Sequence, residues 1–160
     1  MPIVNATASF TRPADITAYA ANDLVANSTT AGSVTPMSFV FPTGVGESIH
    51  IRAIKIQKSG TTATNGNFHL RLYSSSPTVA NGDNGAWSSN LSGYLGKVEA
   101  TIVEAFTDGC SVVSAIAEGS DVHYKFPPSA NTIYGLLVAD EGYTPASGEV
   151  FTITLFAEAK

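Results

Sequence analysis

A single cysteine, Cys110, and little charge mark this chain: Asp, Glu, Lys and Arg make up 13% of its 160 residues. One thiol excludes an internal disulfide and a zinc site built from thiolates alone. Sparse charge, with no window alternating Glu and Lys at helical spacing, argues against long solvent-exposed helices. Long apolar runs are missing too. Leu136-Leu-Val-Ala139 with its neighbours is strand-sized, well short of the roughly 18 to 20 apolar residues of a membrane helix, so no membrane partner is expected. The opening Met1-Pro-Ile-Val-Asn-Ala lacks the basic start and apolar middle of a secretory signal. The expectation is a chain made and kept in a cytoplasm, where the Asn-x-Ser/Thr triplets at Asn5, Asn27 and Asn90 serve as turn chemistry.

Basic surplus is absent as well. A net charge of -5 disfavours a generic nucleic-acid binder. The distribution is uneven: Ser48 to Gly82 holds Arg52, Lys55, Lys58 and Arg71 with no carboxylate, whereas Lys97 to Lys160 holds nine carboxylates against three basic residues. Such asymmetry suits subunits that meet with opposite charges facing; the alternative is scattered, solvated charge.

What is present is a hydrophobic fraction of 44%, too high for disorder at this charge, in a length that suits one domain with a real core. Period-two alternation recurs. Phe68, Leu70 and Leu72 alternate with His69, Arg71 and Tyr73, and Phe151, Ile153, Leu155 and Ala157 with Val150, Thr152, Thr154 and Phe156. Ile133 to Ala139 is apolar on both faces and reads as a central strand. Ile49, Ile51 and Ala53 shift phase to Ile54 and Ile56, as a bulge near Arg52-Ala53 would produce. Leu95 to Val103, Val112 to Ala117 and Val122 to Phe126 are weaker strands, and Val34 to Val40 reads as an edge strand around Pro36. Turn signals separate them, including Asn65-Gly66, Asn81-Gly-Asp-Asn-Gly85, Asp108-Gly109, Glu118-Gly119 and Glu141-Gly142. The fold class expected is all-β, an antiparallel β-sandwich or jelly roll. One domain spans residues 1–160, with 1–45 as an extended N-terminal arm and edge segment, in which Ala14 to Leu24 has room for a helical turn, and 46–160 as the body. The Ser74 to Gly93 connection exceeds a normal hairpin and is expected to be a contact surface.

Candidate chemistry is thin. Asn81 and Asp83 offer oxygens, but the residue twelve positions from the start of that loop is Ser92 where a calcium loop needs a bidentate Glu; a turn is the better reading. His50, His69 and His123 lie in strand patterns at no recognised ligand spacing, so no metal is assigned. No Gly-x-Ser-x-Gly elbow or phosphate loop occurs, and Cys110 has acidic company that blunts its nucleophilicity. Asp140-Glu141 are adjacent and make no acid and base pair across a sugar. Trp87, Tyr94 and Tyr143 could build a sugar-stacking platform, although aromatic anchors in a protein interface explain the same residues. No enzyme and no cofactor are expected.

Phe68-His-Leu-Arg-Leu-Tyr73, the run from Ser74 to Trp87, and Gly93-Tyr-Leu-Gly96, together with Phe10 to Tyr19, Asp23-Leu-Val25, Ile133-Tyr-Gly-Leu-Leu137 and Tyr143-Thr-Pro-Ala146, carry a resemblance over most of the chain. It resembles small structural proteins encoded in the virion gene clusters of tailed bacteriophages, most of all head decoration (cement) proteins. The resemblance implies a non-enzymatic protein on the outer capsid surface, made in the bacterial host cytoplasm, with the major capsid protein and copies of itself, as a homotrimer, for partners. A receptor-binding or carbohydrate-binding module on a head or tail fibre is the alternative. The residues expected to anchor the partner are Phe10, Arg12, Pro13 and Tyr19 in the arm and Trp87 and Tyr94 in the long loop. The competing reading of the arm is that it covers an edge of its own sandwich.

Overall fold

Alternating segments become strands because one set of side chains leaves water while the other stays in it. A computed structural model, which describes residues 2–42, 48–117, 119–128 and 130–160, shows two antiparallel sheets packed as a β-sandwich. The strands are β1 (Ile3–Thr11), β2 (Leu24–Val25), β3 (Met37–Val40), β4 (Ser48–Lys58), β5 (Asn67–Tyr73), β6 (Tyr94–Thr101), β7 (Glu104–Phe106), β8 (Gly109–Ala115), β9 (Val122–Lys125), β10 (Thr132–Ala139) and β11 (Val150–Ala159). One sheet has the order β1-β11-β4-β8-β7, with β9 also on β4. The other runs β2-β10-β5-β6, with β3 also on β10. Gly46, where the body was expected to begin, lies outside the described residues, as does Glu118 of an expected turn.

Leu70, Leu72, Leu137, Ile153 and Leu155 meet in one cluster and are fully buried, each stabilising the fold by roughly 1.5–3 kcal/mol. β10 is central and buried on both faces: Ile133 and Leu137 join that core, whereas Leu136 joins a second cluster with Leu24, Ala26, Tyr73 and Val79 on the outer side of its sheet. Gly135 makes room for this packing, since a Cβ there would lie 2.8 Å from Phe39 Cε2 and 3.0 Å from Leu70 Cδ1.

The phase shift in β4 is a bulge. Ala53 pairs with Phe156 and Ile51 with Ala157, so Arg52 is the extra residue. β8 leaves β4 at Ala53, β9 joins it at Ile51, and the Arg52 carbonyl accepts the Ile116 N–H at 2.9 Å.

The N-terminal segment is no free arm. β1 pairs with β11 through the whole register from Ile3↔Glu158 to Thr11↔Val150, which makes it the sheet's edge. Ala6 is buried, and Phe10 stacks on Phe151 with ring centroids 5.5 Å apart. Ala14 to Leu24 holds no helix; the helical turn among the described residues is a short 3-10 turn at Ala31–Ser33. Of the two readings of this segment, the structure shows the one in which it covers an edge of its own sandwich.

Two stability measurements follow. Leu137→Ala should cost about 2–5 kcal/mol in urea unfolding. Deleting residues 1–27 should unfold the protein or lower its melting temperature steeply, because it strips an entire edge strand and leaves Asp83 without Arg12; a truncated chain that melts like the full one would contradict this packing.

Candidate functional site: a docked loop and a bare sheet face

The loop between β5 and β6 has too few apolar residues to fold alone, and polar contacts fix it. Asp83, in the middle of the loop, is buried with both carboxylate oxygens used. Oδ2 accepts from Arg12 Nη2 at 3.0 Å, and Oδ1 accepts from the Tyr19 hydroxyl at 2.6 Å and from the Ala26 N–H at 2.8 Å. Arg12 Nε also donates to the Tyr19 oxygen. Burial pushes the Tyr19 hydroxyl up, so it stays protonated and donates. Burial raises Asp83 too, against the opposing pull of Ala26, Tyr19 and Arg12. Gly82 beside it is needed for close approach: a Cβ there would lie 2.1 Å from the Thr29 carbonyl oxygen.

A second buried pair adjoins the first. Lys58 Nζ meets Glu149 Oε1 at 2.9 Å, Tyr143 donates to Glu149, and the Tyr19 and Tyr143 rings stack at 6.0 Å. The Glu149 carbonyl accepts the Arg12 N–H at 2.9 Å. Two cations of the basic segment thus meet carboxylates of the acidic segment within one chain, in Lys58–Glu149 and Arg52–Glu158, and His69 meets Asp140. Part of the charge asymmetry seen in the sequence is therefore used inside the chain.

The loop's other end rests on the outer face of β5. Arg71 lies over Trp87, 3.7 Å from the ring centroid. Its Nε donates to His69 Nε2 at 3.1 Å, which requires that nitrogen to be unprotonated, so His69 Nδ1–H donates to Asp140. Burial lowers the His69 pKa below 6.5, opposed by Asp140.

The six expected anchors do not form one surface. Arg12 and Tyr19 are each 2% exposed, and their polar atoms are committed to Asp83, which removes them as surface anchors. Phe10 and Pro13 are half-buried. Trp87 is half-buried with one face under Arg71, and Tyr94 is partly exposed against Tyr73. Tyr143, the third member of the sugar platform, is fully buried, so that platform does not assemble. Both Asp83 oxygens are directed at Arg12, Tyr19 and Ala26 inside the chain.

The outer face of the other sheet is different. Its outward rows run Thr7–Thr154–Lys55–Val113 and Ser9–Thr152–Gln57–Ser111–Glu104, and all are exposed or half-exposed. Thr7 and Thr154 share a hydroxyl hydrogen bond at 2.9 Å, and Ser9 and Thr152 at 2.8 Å. Val113 is 64% exposed and Phe106 53%, on the same face by register. Leu91, at the tip of the long loop, is 82% exposed. Sequence reasoning missed these three; the signal for Leu91 was an isolated large apolar residue among Ser, Asn and Gly.

The His69 geometry sets a pH dependence. In the unfolded chain His69 protonates near 6.5; the folded chain resists. Its contribution to stability is therefore present above that value and lost as pH falls below it. Between pH 7 and 5, wild type should lose more unfolding free energy than His69→Gln, whose amide can keep both hydrogen bonds; parallel curves would contradict the assignment.

In comparisons with known proteins, no family model matches this chain and no curated protein matches it.

Proposed function

We propose that this chain is a non-enzymatic structural protein of a tailed-bacteriophage particle, a head decoration protein that binds the outside of the assembled capsid. The observation that carries the reading is the asymmetry of the sandwich. One outer face is covered over β10 and β5 by the chain's own long loop, while the other leaves open rows of Thr and Ser hydroxyls interspersed with Lys55, Gln57 and Glu104, with Val113 and Phe106. A face of small side chains packs closely on another protein at little cost in side-chain entropy. The recess between β6 and β8 is lined by Lys97, Val98, Glu99 and Ala115, and that along β1 and β3 by Ala8, Ser9 and Met37; among the described residues these linings hold no linked nucleophile, base and orienting acid. The sequence resemblance to virion proteins supplies the partner: the major capsid protein, with copies of this chain around a threefold position. Many weak contacts on one shell would then act together.

Mixing the protein with shells that lack it tests this reading. Saturable cosedimentation, with many copies per particle set by the shell's symmetry, is expected. Val113→Asp combined with Thr154→Asp should weaken binding by more than about tenfold, because carboxylates would be buried unpaired at the contact, while circular dichroism stays that of the wild type. Equal binding by the variant, or a few copies confined to a fibre tip, would contradict it.

A further inference from the structure

His50 on β4 and His123 on β9 are directly paired across the sheet, and their rings stack at 3.6 Å between centroids. Asp121 stands just before β9. Its Oδ1 is held by the Gly119 N–H at 3.0 Å, and its Oδ2 faces both imidazoles, bonded to His50 Nε2 and 3.4 Å from His123 Nε2. One nitrogen from each ring and the carboxylate oxygen all lie within 4.8 Å of one another. Donor atoms around a tetrahedral ion with bonds of 2.0–2.2 Å stand roughly 3.3–3.6 Å apart, so seating one takes a separation of the closely bonded His50 and Asp121 atoms by a side-chain adjustment of Asp121, together with a small rotation of His123. His50 is buried and fixes one ligand, whereas the His123 side chain is 58% exposed and leaves an open side for the ion and a solvent ligand. Arg52 is the nearby cation, 3.7 Å from Asp121, but its Nη2 is bound to Glu158 at 3.0 Å and can remain there.

We propose that His50, Asp121 and His123 form a binding site for a divalent transition-metal ion of the zinc class. Two imidazoles and one carboxylate match that class, with a fourth position for water. Sitting where β9 joins β4 next to the bulge, the ion would clamp the end of β9 to the sheet. The site is independent of the proposed capsid contact.

Full-length protein, stripped on a chelating resin and titrated with Zn²⁺ by calorimetry, should bind one ion per chain. His123→Gln, at an exposed position, should keep the metal-free melting temperature yet bind Zn²⁺ at least about tenfold more weakly. Asp121→Asn should weaken it in the same direction, His69→Gln should bind like wild type, and excess Mg²⁺ should not displace Zn²⁺. The absence of saturable Zn²⁺ binding by wild type, His123→Gln binding as tightly as wild type, or loss of binding on His69→Gln would each overturn the proposal.

Discussion

The Arg12–Asp83 ion pair sits where three parts of the chain cross: the end of the edge strand β1, the segment leading into β2, and the middle of the long loop. Both side chains are fully withdrawn from water. A charge so placed is costly unless paired and hydrogen-bonded, which makes the geometry all or nothing. Asp83 holds the loop against Ala26, Tyr19 bridges the two charges, and the adjoining Lys58–Glu149 pair ties β4 to the start of β11 through Tyr143. The cover over the outer face of β10 and β5 depends on this polar knot more than on the few apolar residues of the loop.

Loop cover decides which surface is left for partners. Leu136, Tyr73 and Trp87 lie under or within the docked loop, so the five-stranded sheet is covered over β10 and β5, while Val40 on β3 and Lys97 and Glu99 on β6 stay exposed. The six-stranded sheet keeps its Thr and Ser rows open, and Val113 and Phe106 stand out among them. The proposed capsid contact and the proposed metal site both lie on this sheet. They use different residues: the first its middle rows, the second the junction of β4 and β9.

The body strands were legible because their signal is local. Phe68, Leu70 and Leu72, or Ile153 and Leu155, declare an inward face by alternation within a few residues, and even the bulge at Arg52 shows as a change of phase. The role of the first 27 residues was not legible. Arg12 looks like a surface anchor, since nothing nearby in sequence reveals that its partner is Asp83, 71 positions on. The same separation hid the pairing of the basic segment with the acidic one, and the meeting of His50 with Asp121, also 71 positions apart. A polar residue destined for burial carries the same letter as one left in water; only the fold distinguishes them.

A double-mutant cycle on Arg12 and Asp83, read by denaturant unfolding, tests the central role of this pair most directly. Arg12→Met and Asp83→Asn should each cost about 3–5 kcal/mol, because each leaves one buried charge without its partner. The double variant should be less destabilised than the sum by at least about 1 kcal/mol. Single losses below about 1 kcal/mol, or costs that add to within about 0.5 kcal/mol, would show that the pair does not hold the loop and the N-terminal segment to the sandwich.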